Sequence, residues 1–180
     1  MEGRGNDDRK CCTMIWIIEN FRYSCQESHD SLSSPIFDFE SLENTKWYLY
    51  LFPREHFLEI ENVINIFVCR DVEGAKLINL DIEIVLSSMN GTIYKEECFK
   101  DVCFDKDYYQ HVSANIERRK ILHLNENVFL RNDSLMVQCR LWRTDDATLK
   151  GEQIIARTVV EIERRSFYLG YKLSDFKSNF

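Results

Sequence analysis

Glycine and proline are scarce, 6 and 2 residues in a chain of 180, which excludes collagen-like and Pro-rich low-complexity architectures. No hydrophobic run is long enough to cross a bilayer. The opening MEGRGNDDRK is polar and mixed in charge, so it lacks the apolar stretch of a secretory signal. Positive charge is also short: a net charge of -7 and a pI near 5.2 disfavour a binder of phosphate backbones, which needs a basic face to release counterions. These absences predict a soluble, intracellular protein with no nucleic-acid and no membrane partner.

Catalytic and metal-binding patterns are missing as well. The seven cysteines, at 11, 12, 25, 69, 98, 103 and 139, form no C-x-x-C pair, and the four histidines lie far apart, so zinc spacing is absent. Cys98 and Cys103 flank four residues in ECFKDVCF, but neither sits beside an obvious base or a predicted helix N-terminus that would lower its pKa. In a reducing compartment these thiols read as small core hydrophobes and surface spectators. There is no Gly-x-Ser-x-Gly elbow, no His-Glu-x-x-His and no Gly-rich phosphate loop. His111 and His123 read as polar loop residues. The expectation is a non-enzymatic protein with no catalytic residue, no metal and no cofactor.

What is present is an ordinary globular composition, 44% apolar and 29% charged, in a length sufficient for one domain plus a fragment. LDIEIVL sets Ile82, Ile84 and Leu86 on one face and Asp81 and Glu83 on the other, the period of a half-buried strand. The sequons at Asn90 and Asn132 would matter only in a secreted chain. Asn90-Gly91 reads better as the tight turn of a hairpin, where positive φ is required. DSLMVQCRLW alternates again, with Leu135, Val137, Cys139 and Leu141 on one side and Met136, Gln138 and Arg140 on the other. KWYLYLF, VINIFVC and MIWIIENF add short aromatic and β-branched runs, and no window of about twelve residues shows a helical stripe. An all-β fold is predicted, an antiparallel sandwich of about 7–8 strands.

The order of several motifs adds a family resemblance. Trp16, Ile18, Asn20 and Phe21 make W-x-I-x-N-F; SSPIF (33–37), KWYLYLFP (46–53), INIF (64–67), RRKIL (118–122) and LRNDSLMVQC (130–139) follow. In this order and spacing the chain resembles the MATH domain, also called the TRAF-like or meprin-and-TRAF homology domain, over roughly residues 12–144. Within that family it is most similar to the substrate-binding domain of speckle-type POZ proteins. Residues 1–11 would be a disordered tail and 145–163 a linker or terminal strand region. Near the C-terminus, Tyr171, Leu173, Asp175 and Phe176 repeat the first motif at one offset, 171 − 16 = 155 and 176 − 21 = 155. Residues 164–180 therefore read as the start of a second, truncated MATH repeat, as in a tandem-MATH (TD and POZ domain-containing) protein. On that reading, residues after about Asp145 should find no core in this chain and be poorly ordered; the alternative is a terminal strand or short helix packed on the single domain.

The resemblance implies recognition of protein segments rather than chemistry. Members of this group hold a short peptide, one apolar residue, one polar residue and a Ser/Thr run, in an aromatic groove. A POZ domain joins them to a cullin-based ubiquitin ligase in the nucleus and/or cytoplasm. Carried over, Phe67 matches a groove tyrosine without its hydroxyl, Ile82 a groove phenylalanine, and Tyr108 the tryptophan of K-D-W-G-F, with Tyr109 near the following phenylalanine. Phe67 and Ile82 are equally compatible with core positions, and Tyr108 and Tyr109 with a loop packed back on the sheet. The expected partners are Ser/Thr-rich peptide segments of protein substrates, with cullin reached only through a POZ domain that these 180 residues do not include. The alternative is a TRAF-like signalling adaptor domain binding receptor or partner peptides without a ligase role. Arg118, Arg119 and Lys120 form a basic cluster on an acidic chain. If it steers ligands, surface plasmon resonance at rising salt should show slower association with nearly constant dissociation, and a constant on-rate would remove the idea.

Overall fold

Ten strands in two sheets make up the computed structural model, which describes residues 10–24, 31–55, 63–75, 77–89, 91–105, 111–118, 121, 133–145 and 151–161. The strands are β1 (Cys12–Glu19), β2 (Leu32–Ser33), β3 (Phe37–Phe39), β4 (Thr45–Glu55), β5 (Val63–Arg70), β6 (Leu77–Ser87), β7 (Ile93–Asp105), β8 (His111–Glu117), β9 (Ser134–Arg143) and β10 (Glu152–Val159). One sheet runs β10-β1-β9-β6-β7 and the other β2-β4-β5-β8, with β3 also paired to β4. Every pairing is antiparallel except β1 with β10, which run parallel. The all-β sandwich expected from the alternation is the fold. Short helical turns stand at Phe21–Ser24 and, as a 3-10 turn, at Glu40–Leu42.

The core follows from the period of two. In β9, Leu135, Val137, Cys139 and Leu141 are buried while Met136, Gln138 and Arg140 are half-buried on the outer side, as their alternation predicts. β6 sends Ile78, Leu80, Ile82, Ile84 and Leu86 into the same interior, met from the other sheet by Leu49, Leu51, Ile64, Ile66 and Val68. Trp16 and Trp47, one from each sheet, are wholly buried. Burying an indole strands a polar N–H unless it is satisfied. Trp47 Nε1 donates to Thr45 Oγ1 at 2.9 Å, and Trp16 Nε1 donates to Thr158 Oγ1 at 2.9 Å.

Thr158 belongs to β10, a strand inside the 145–163 region read as linker or terminal strand, and it is there against the expectation that residues after about Asp145 find no core. Residues 152–159 are ordered as a strand along β1, and Ile154, Ala156 and Val160 pack against the core. A hydrophobic face at positions 154, 156 and 160 was available in EQIIARTVV, but the edge that receives it is visible only once β1 and β9 have paired. Asn20 holds the end of this strand: it turns the chain at φ 57, a conformation that asparagine tolerates, and its Nδ2 donates to the Val160 carbonyl at 3.1 Å. Phe21 then drops into the core. The repeat of W-x-I-x-N-F at 164–180 lies outside the described residues.

Two irregularities shape the sheets. The β6–β7 hairpin closes as expected at Gly91, φ 84, but Gly91 N donates to Ser88 O at 2.9 Å and Ser88 N to Thr92 O at 3.1 Å, so the loop is longer than a two-residue turn. Opposite Asp81 the register slips between Leu80 and Ile82. There the Asp81 carboxylate accepts from Asp101 N at 3.0 Å and from Lys100 Nζ at 2.9 Å, which satisfies a buried charge on the outward side. Thr158→Val keeps the shape at β10 and removes the acceptor of a buried indole N–H. Chemical denaturation should show a loss of about 1–3 kcal/mol, with hydrogen exchange accelerating in β10.

Candidate functional site

The two outer faces differ in chemistry. The sheet β10-β1-β9-β6-β7 carries cross-strand ion pairs outward: Arg140 with Glu83, Lys100 with Asp81 at 2.9 Å, and Arg157 with Glu19 at 2.8 Å. These pairs neutralise one another, but the same outer face also exposes Ile155 and Val159 of β10. On the other sheet, KWYLYLF alternates so that Trp47, Leu49 and Leu51 point in and Tyr48, Tyr50 and Phe52 point out. Register aligns these with β5 and β8 in three rungs: Phe52–Asn65–Asn115, Ser33–Tyr50–Phe67–Ser113 and Tyr48–Cys69–His111.

The rings in this grid touch edge to face, the arrangement that aromatic quadrupoles prefer. Centroids are 5.1 Å apart for Tyr48 and Tyr50, 5.4 Å for Phe52 and Phe67, and 4.9 Å for Phe67 and His111, with interplanar angles of 80°, 82° and 68°. Tyr48, Tyr50, Phe52 and Phe67 are half-buried, and His111, Ser113 and Asn115 are exposed. Burial, then the charges of Cys69, Tyr50 and Asp71, push the Tyr48 phenol upward, so it stays protonated and keeps a hydrogen to donate. Among the described residues no strand pairs with the far edge of β8. Rings, amides and hydroxyls thus lie beside that edge.

The site residues expected from the resemblance divide. Phe67 is in the centre of this face. Ile82 is not: it is 1% exposed, inside the core beside Ile84 and Leu86, because even positions of LDIEIVL all share the inward side. A direct groove role for Ile82 is therefore corrected to a core role. Tyr108 and Tyr109 lie outside the described residues. Tyr48, Tyr50 and Phe52 were absent from the expectation although the alternation of KWYLYLF already set them opposite Trp47. His111, read as a loop residue, is the first residue of β8; the signal was the inward alternation of Val112, Ala114 and Ile116 in HVSANIE.

Other places offer less. Glu83, Glu96 and Cys98 bring three donor atoms within 4.8 Å of one another, but Glu83 is engaged by Arg140. Cys12 Sγ lies 3.2 Å from Ser41 Oγ, and burial pushes its thiol up to about 11, away from thiolate chemistry. Burial likewise raises Cys139, so both act as small core hydrophobes. A crevice between the sheets, lined by Ile66, Ile84, Leu86 and Ile116 among others, measures about 10 Å³, room for one water. No helix among the described residues is long and apolar enough to cross a membrane.

Comparison with known proteins adds no name: no family model matches the chain, and no curated protein does either. Side-chain truncation separates the two kinds of position. Ile82→Ala should cost about 2–5 kcal/mol in chemical denaturation by opening a core cavity. Phe67→Ala, half-buried, should cost about 1–2 kcal/mol; equal losses at both sites would contradict their placement.

Proposed function

We propose that this chain is a peptide-recognition module of the MATH type, holding an extended segment of a partner protein across β4, β5 and β8. The observation that carries the reading is the neutral aromatic face centred on Phe67, next to the edge of β8 with which no strand among the described residues pairs. An extended peptide laid there gains main-chain hydrogen bonds from the edge and places alternate side chains on the face. An apolar side chain suits the Phe52–Phe67 pair, and Ser or Thr hydroxyls suit Ser113, Asn115 and Asn65, none of which demands a charge. Half-buried rings supply contact area at low entropic cost.

The motifs that resemble speckle-type POZ proteins support the same reading and extend it. In a longer protein, a POZ domain would couple the bound segment to a cullin-based ubiquitin ligase, so that recognition marks the partner for degradation in the nucleus and/or cytoplasm. The module itself performs no chemistry on this reading. Phe67 has no hydroxyl where a groove tyrosine is expected, so specificity should lean on packing more than on a phenolic hydrogen bond at that point.

The test is an array of short Ser/Thr-rich peptides with an apolar first position, probed with the purified chain and with a Phe67→Ala, Tyr50→Ser double variant shown to be folded. Loss of about tenfold or more in affinity is expected in the variant. Binding that survives the double substitution would move the ligand off this face.

A further inference from the structure

The crevice between the sheets lies where β7 and β8, each the last described strand of its sheet, come into contact. Ile84 and Leu86 of β6 and Ala114 and Ile116 of β8 line it, all four buried, and its volume is about 10 Å³. Apolar walls give a single water too few partners to hold it well, and displacing such a water with an apolar group gains affinity. Two polar lining residues mark the mouth: Asn115, exposed on β8, and Lys95, half-buried on β7. Lys95 Nζ is 2.7 Å from Glu97 Oε1, and an ammonium carries three hydrogens to donate.

We propose that this crevice reads the inward side chains of the bound segment, taking a small apolar residue such as valine and, two residues away from it, a carboxylate that pairs with Lys95. The inference rests on the reading of β4, β5 and β8 as a peptide site. A segment paired along β8 continues that sheet, so its side chains alternate. One set lies on the outer face with Ser113 and Asn115, and the other points between the sheets towards β7. Room for one water admits methyl groups and excludes a ring. A valine methyl loses nothing there, whereas the hydroxyl of the isosteric threonine would be buried among apolar walls without a partner. Residues two apart on a strand share a side and stand roughly 7 Å from one another, within the sweep of a lysine. The charge complement of the mouth is therefore an acid on the same side as the valine.

Fluorescence anisotropy decides it, with labelled Leu-Asn-Ser-Thr-Ser-Thr-Ser as the parent peptide. Leucine on the outer rings turns the even positions inward, so the probes are Leu-Asn-Ser-Val-Ser-Glu-Ser and, for the opposite direction, Leu-Glu-Ser-Val-Ser-Thr-Ser. One of them should bind about three- to tenfold more tightly than the parent. Replacing its valine by phenylalanine should erase that gain, and Ile116→Ala, which widens the crevice, should restore binding of the phenylalanine peptide. Lys95→Glu alters a half-exposed position and leaves the core intact; it should remove the advantage of the glutamate and transfer it to a probe with lysine in that place. Leu-Asn-Val-Thr-Glu-Thr-Ser, which turns both residues outward, should bind no better than the parent. Phenylalanine accepted as well as valine by the unaltered chain, or a gain from glutamate that survives Lys95→Glu, overturns the proposal. If the parent binds and Phe67→Ala releases it while neither probe gains, only the role of the crevice falls. If no probe binds the folded chain, the peptide site falls with it.

Discussion

The clamp on β1 organises the molecule. That strand lies between an antiparallel neighbour, β9, and a parallel one, β10, and its Trp16 is wholly buried. An indole in that position needs an acceptor, and the one it finds is the hydroxyl of Thr158, far along the chain on β10. Asn20 makes the matching contact at the strand's other end through the Val160 carbonyl. Both polar members of W-x-I-x-N-F thus spend their hydrogen bonds on β10 and the residue that follows it, and pairing with β10 keeps β1 from being a sheet edge.

The other sheet carries the surface proposed to hold a peptide. Its inner side is continuous with the core through Leu49, Leu51, Ile66 and Val68, so the outer rings on the same strands stand on a rigid support. Side chains fixed on strands keep their spacing better than side chains on loops. The opposite sheet carries mutually neutralising ion pairs on its outer face, together with the exposed Ile155 and Val159 of β10. The edge-to-face cluster of half-buried rings on β4 and β5 is what marks the candidate site.

Much of this was legible residue by residue. Alternation in LDIEIVL and DSLMVQCRLW named the inward side chains correctly because a strand's period of two leaves no freedom once one face is buried. The same rule assigned Ile82 to the core, and the family resemblance that drew it toward a groove was overruled by its own neighbours, Ile84 and Leu86. His111 was misread because it was taken alone, whereas the alternation of Val112, Ala114 and Ile116 after it marks the start of a strand. Tyr48 and Tyr50 were visible as outward residues but not as members of a site, since nothing local says what stands on the next strand.

By itself the sequence determined the fold class, the core faces of the strong strands, the hairpin near Gly91 and the lack of catalytic motifs, because each depends on local period or on residue type. Only the tertiary structure decided which outward residues meet. Phe52, Phe67 and His111 come from three strands, and register, a property of the pairing between strands rather than of any one of them, brings the Phe52 and His111 rings to 5.4 Å and 4.9 Å from the Phe67 ring. The partner of Trp16 was decided in the same way, since parallel pairing of β10 with β1 is a long-range event that no local pattern encodes.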